Sequence, residues 1–459
     1  MSQTLLLEHA LLPDGWHRGV LVGITGGLIT SLTAQPTPQQ LDRVARIAGA
    51  TIPGLPNLHS HTFQRGMAGL AETRGPSGDS FWTWRQVMYR FLEHLDPDDV
   101  EAIAAMAMME MLEGGFTSLA EFHYLHHDPQ GRAYGNRAEL AVRIVAAAQQ
   151  TGINLTLLPV LYAQGGFGGQ PVADQQRRFY NDLDSYLSLH AASAEALRDL
   201  PHATIGIAPH SLRAVTPDML AALLEAGLPG PVHLHIAEQV KEVDDCLAWS
   251  GQRPVEWLFN HHGVDANWCL IHATHMSESE TQALARSNAV AGLCPVTEAN
   301  LGDGFFNAPS YQALSGAWGV GSDSNVAISA FAELRCLEYG QRLLHRGRNL
   351  MAGAEGHSTG FDLYAKALRG GAQALQQPVG ALRIGAQADW VTLDLTHPTL
   401  APLPQSHWLD ALVFVADRSA IHSVTVNGQT CVQYGHHHAR DSITARFTDR
   451  LKRLLARVG

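Results

Sequence analysis

Short apolar runs alternate with longer stretches of helical spacing through the middle of the chain. The runs are "ATIPGLPNLH", "TSLAEFHY", "NLTLLPVLY", "TIGIAPHS", "PVHLHIAE", "WCLIHATH", "AVAGLCP" and "WGVGSDS". Strand-like runs alternating with helices are the pattern of βα units around a parallel sheet. Eight of them are the number that closes a (β/α)8 TIM-like barrel, so the expected class is α/β. Between the first two runs, "DPDDVEAIAAMAMMEMLEGG" reads as a helix. Asp96 is placed to cap it, Pro97 takes the first helical position, and Gly114 and Gly115 end it. Its four methionines, Met106, Met108, Met109 and Met111, read as core filler.

The flanks carry a different pattern. "LLLEHALL", "GVLVGITGG" and "LITSLT" near the start, and "ADWVTLDL" and "SVTVNGQTCVQYG" near the end, read as short strands with Gly and Asn-Gly turns. The expected organisation is a small β-sandwich built from residues 1–50 and 383–440, a barrel over 51–382, and a C-terminal helix over 441–459. The longest irregular segment is "QGGFGGQPVADQ", whose glycines suggest a mobile loop.

Composition narrows the function classes. A formal charge of −12 with no basic run argues against a nucleic-acid surface. No stretch approaches the apolar length of a membrane helix, and the start lacks the basic flank and cleavage site of a secretory signal. The five cysteines are scattered without a CxxC pair, which suits a reducing compartment, so the cytoplasm is expected.

The chemistry-bearing residues gather at strand ends. His59 and His61 end the first run, and alternation points them the same way. His235, His272 and Asp323 each stand at the carboxyl end of a later strand, the rim where barrel enzymes place their catalytic groups. His59, His61, His235 and Asp323 make three imidazoles and one carboxylate, a reasonable divalent-metal set. Glu238, three residues past His235, is placed to handle protons.

This HxH, His, His, Asp order along the strands resembles the amidohydrolase superfamily, in its cytosine/adenosine deaminase-like branch, over nearly the whole chain. The resemblance implies metal-dependent hydrolysis with Glu238, His272 and Asp323 as catalytic groups. Many binuclear members bridge two metals through a carboxylated lysine on strand four. This chain has no lysine before Lys241, so one divalent ion per chain is expected, zinc foremost. Relatives are commonly homodimers. A finer resemblance, through "HSHTFQRGMAG", "DSFWTWRQVMYRF", "TSLAEFHYLHH", "APHSLRAV", "HLHIAEQ", "IHATH" and "CPVTEANLGDG", is to branch members that deiminate N-formimidoyl-L-glutamate. Relatives acting on purine-like rings usually carry Asn where Glu298 stands and lack an arginine like Arg213.

A small dicarboxylate needs donors set apart from the metal, and Arg85 and Arg213 are the candidates. Gln64, Tyr124 and His210 join them as further substrate contacts. Trp82 and Trp84 suit a pocket wall or simple packing. His123, His126, His127 and the His436–His438 tract take the bland reading, the tract as a solvated one. Two other functions stay open at this level: a deaminase of an aminated purine, pterin or triazine ring, and a metal-bearing barrel that only binds a ligand.

Overall fold

The computed structural model describes residues 2–75 and 78–458, leaving Met1 and Gly459 of the expected end segments outside. The eight barrel strands are Leu55–Ser60, Phe116–His123, Asn154–Leu161, a fourth in two pieces (Thr204–Ile205 and Ala208–Pro209), Val232–Ile236, Trp268–His272, Val290–Leu293 and Ala317–Val320. All neighbouring pairs run parallel. They fall into two ladders, strands one to four and strands five to eight.

Isolated bridges join the ladders at both seams: Ser60 with Asp323, and Ile207 and Ser211 with Val232 and His235. At the first seam the His61 amide donates to the Asp323 carbonyl at 2.9 Å, and the Asp323 amide to the His59 carbonyl at 3.0 Å. At the second, the His235 amide donates to the His210 carbonyl at 3.1 Å. The bonds that close the barrel are therefore made by the same residues expected to carry its chemistry.

The run "ATIPGLPNLH", read as one strand, is two. Ala45–Pro53 pairs with strands from both chain ends, and the barrel begins only at Leu55. Gly54 makes the hand-over. A Cβ there would lie 2.1 Å from the Thr117 hydroxyl, and its amide donates to the Asp389 carbonyl at 3.2 Å. The fourth strand is interrupted because Gly206 and Gly230 pack backbone on backbone: a Cβ on Gly230 would sit 1.8 Å from the Ile205 carbonyl oxygen.

Strands from the two ends of the chain share a single eight-stranded path. A separate apolar cluster lies within it, including Leu7, Val20, Val22, Ile29 and Trp390. The helix Pro97–Glu113 is capped as its sequence requires, the Asp96 carboxylate accepting the Asp99 amide at 2.8 Å. Met106, Met108, Met109 and Met111 are all buried.

The glycine-rich segment is irregular, with a bridge between Gly166 and Gln170 and with Phe167 stacked on Trp249, centroids 5.4 Å apart. One expectation needs correction: the His436–His438 tract is not wholly solvated. His436 and His438 are exposed, but His437 is buried, its ring bonded to the Thr151 carbonyl and its amide to Glu113.

The helix Thr359–Leu375 lies across the seam between strands eight and one through two glycines. A Cβ on Gly370 would stand 1.9 Å from the Trp318 carbonyl oxygen, and one on Gly371 would press on Pro56. Gly370→Ala must push this helix off the strand that leads to Asp323. We expect a loss of about 1–3 kcal/mol, read as a lower thermal midpoint. Gly135→Ala, in open space, serves as control. Equal midpoints for the two variants would contradict the close packing.

Candidate metal centre and pocket

Four side chains converge at the carboxyl rim. The Nε2 atoms of His59 and His61 are 3.2 Å apart, and that of His235 lies 3.1 Å from His59. Asp323 Oδ1 stands 3.6 Å from His59 Nε2 and 3.4 Å from His61 Nε2. Donors placed tetrahedrally at about 2.1 Å from one ion would be separated by about 3.4 Å, and the observed spacings bracket that figure.

Hydrogen bonds behind the rings set their polarity. His61 Nδ1 faces the Phe122 carbonyl at 2.9 Å, and His235 Nδ1 faces the His210 carbonyl at 3.0 Å. A carbonyl can only accept, so each Nδ1 carries its ring's proton and each Nε2 presents a lone pair. Burial keeps these rings neutral, pushing His59 down to about 3 and lowering His61 and His235 as well. Burial works to raise the Asp323 carboxyl, yet bonding to His59 and the charge of His272 hold it well below the usual range. Lone pairs and a carboxylate therefore aim at one enclosed point, an arrangement that a divalent cation satisfies.

The strand ends are held by residues that the sequence reading missed. Asn325 Nδ2 donates to the Ser60 hydroxyl at 3.0 Å and to the His61 and Asp323 carbonyls at 3.1 and 3.0 Å. Asn57 donates to the Ser322 hydroxyl at 2.7 Å. Asp323 itself sits at φ +42, in the left-handed region that costs a side-chain-bearing residue energy. The available signal was Asn57, a polar residue between Leu55, Pro56 and Leu58 in the first barrel strand.

Glu238 and His272 stand beside the donor set. The Ala237 and Glu238 amides both donate to Glu242, at 2.9 and 3.1 Å, which fixes the turn that presents Glu238. His272 Nε2 lies 3.8 Å from Glu238 Oε1 and 3.9 Å from Asp323 Oδ2, while its Nδ1 bonds Glu298 at 3.2 Å. Burial, with Asp323 adding to it, raises Glu238 to about 7. Burial would lower His272, but Glu238, Glu298 and Asp323 prevail and raise it to about 10.

Above these groups a cleft opens toward solvent. Gln64, Arg85, Tyr124, His210 and Arg213 all line it, together with His61, His235, Glu238, His272 and Asp323. Its apolar wall includes Phe81, Trp84 and Phe179, whereas Trp82 stands outside, 5.8 Å from the Arg85 guanidinium. Arg85 donates to the Tyr162 hydroxyl at 3.0 Å. Among the described residues, neither Arg85 nor Arg213 is paired with a carboxylate. His123 and His126 are buried away from the cleft, His126 bonding the Val160 carbonyl.

A model of the amidohydrolase family matches residues 50–431. The chain is 48% identical to a formimidoylglutamate deiminase of Pseudomonas aeruginosa, over 98% of this chain and 99% of that one. It is similar to a crystal structure of an amidohydrolase from Brucella melitensis, with 49% identity, TM-score 0.94, and 99% and 100% of the two chains covered. An adenosine deaminase from Xanthomonas campestris, solved with zinc bound, shares the fold at 22% identity and TM-score 0.81 over 99% and 98% of the chains.

The donor geometry predicts which residues retain an ion. Native protein dialysed against metal-free buffer should keep about one zinc per chain, and His61→Ala and His235→Ala should each lose most of it. His272→Ala should keep it, since that ring faces Glu238 rather than the common point. Elemental analysis decides: an ion lost equally from His272→Ala would contradict the four-donor assignment.

Proposed function

The chain belongs to the amidohydrolase family, and from that premise we propose that it hydrolyses N-formimidoyl-L-glutamate to N-formyl-L-glutamate and ammonia. The observation that carries the reading is a pair of guanidinium groups without carboxylate partners, facing the same cleft as the metal-type donor set. A protein of formal charge −12 repels carboxylates, so binding of a dicarboxylate must be local, and two guanidinium groups without carboxylate partners supply that. The name of the Pseudomonas relative supports the same substrate.

We assign His59, His61, His235 and Asp323 as ligands of one divalent ion, zinc. Bound there, the ion would supply the acidity that lets water act as a nucleophile near neutral pH. Glu238 takes a proton from the attacking water and delivers it to the departing nitrogen; as the carbonyl forms, the remaining hydroxyl proton follows by the same carboxylate, and the nitrogen leaves as ammonia. His272, held cationic by its carboxylate neighbours, stabilises negative charge developing at the reacting centre. The Gln64 Nε2 donates to the Tyr124 hydroxyl at 2.8 Å, and among the described residues its buried Oε1 has no partner. It is an acceptor open to a substrate N–H. Arg85 and Arg213, with His210 beside them, hold the carboxylates in a reactive orientation.

We further assign a homodimer and the cytoplasm. The exposed apolar side chains Tyr339, Leu343 and Leu344 on the helix Ala330–His345 support the first. Five free cysteines support the second. No helix among the described residues is long and apolar enough to cross a membrane.

Three measurements test the reading. Glu238 accepts a proton only when ionised, so kcat/KM should fall about tenfold per pH unit on acidifying below about 7. Glu238→Gln should lose about 10²–10⁴-fold in kcat with metal content unchanged. Near-normal turnover in that variant removes Glu238 from the mechanism. Arg213→Met should lower kcat/KM for formimidoyl-glutamate by at least ~30-fold while barely affecting a formimidoyl substrate that lacks the paired carboxylate. Equal losses on both substrates would mean that Arg213 supports the rim and not the ligand.

A further inference from the structure

In the wall of the cleft, the Tyr162 hydroxyl stands between two groups that can only donate to it. Arg85 Nη2 reaches it at 3.0 Å and Gln176 Nε2 at 2.7 Å. The orientation of the Gln176 amide is fixed independently, because its Oε1 accepts the Ala173 amide at 2.8 Å. Nitrogen must then face the phenol. A phenol oxygen that accepts two hydrogen bonds still has one proton to donate. Among the described residues no acceptor takes it, and Tyr162 is 2% exposed and lines the cleft. Gln176 does not line the cleft.

We propose that Tyr162 is a third anchor for the substrate's carboxylates, and that Gln176 is a positioning residue that turns the Tyr162 proton into the cleft. The inference rests on the reading of this cleft as a dicarboxylate site. The phenol acts with Arg85: the guanidinium offers charge, and the hydroxyl it polarises offers a directed O–H to the same carboxylate. A donor of this kind discriminates against ligands lacking that carboxylate, since a buried hydroxyl left without an acceptor is costly. Gln176 contributes without touching the ligand. Replacing its amide nitrogen by oxygen would draw the Tyr162 proton away from the cleft.

The test is calorimetric titration of N-formyl-L-glutamate into the zinc-loaded protein, a probe whose binding does not depend on turnover. Tyr162→Phe, which conserves the ring, should weaken binding about tenfold, the scale of one hydrogen bond to a charged group. Gln176→Glu should weaken it at least as much. N-formyl-L-glutamine and 4-formamidobutyrate each lack one carboxylate, and for one of them Tyr162→Phe should change affinity less than threefold. The proposal is overturned if the native protein does not bind N-formyl-L-glutamate, or if Tyr162→Phe binds it within threefold of native. It is also overturned if both single-carboxylate probes stay as sensitive to the variant as the dianion, or if Gln176→Glu binds like native. Ammonia release from formimidoyl-glutamate is measured separately, so failure of the proposed activity is distinguishable from failure of this anchor.

Discussion

Lone pairs of buried imidazoles and a carboxylate, all aimed at one point, repel one another unless a cation lies among them. That constraint organises the molecule. The closing bonds of the barrel run between the His59–His61 segment and Asp323, and between His210 and His235, so barrel closure and donor convergence are one event. Asn325 and Asn57 tie the same strand ends from below, and the glycines of the helix Thr359–Leu375 bring it close enough to back that seam. The left-handed backbone at Asp323 is held in place by these bonds.

The cleft joins two kinds of electrostatics. Near the donor set, Glu238 and His272 are buried side by side, Glu238 pushed upward by burial toward neutral pH and His272 pushed upward by its carboxylate neighbours, which keeps it cationic. Farther out, Arg85 and Arg213 offer positive charge that no described carboxylate neutralises. A linear dicarboxylate with a reactive carbon at one end meets both demands at once. A neutral ring would leave the guanidinium groups unanswered.

Much of this was readable in the chain. Asp96 and Pro97 announced their helix, and the rim positions of His59, His61, His235, His272 and Asp323 followed from counting strand-like runs. What escaped reading depends on contacts between distant segments. Glu298 meets His272 across 26 positions, and Asn57 meets Ser322 across 265. His437 looked solvated because nothing local shows that Glu113, 324 positions away, takes its amide. Local composition describes elements well, but pairings of this kind exist only once the barrel has closed.

The account's central claim is that one ion and one dicarboxylate site together define the activity. Its most direct measurement is ammonia release by metal-stripped protein titrated with zinc, using formimidoyl-glutamate and a panel of aminated purine, pterin and triazine rings. The account predicts release from formimidoyl-glutamate alone, rising with zinc and saturating at about one equivalent per chain. Release from a ring substrate at comparable rate, or activity that saturates only at two equivalents, would contradict it.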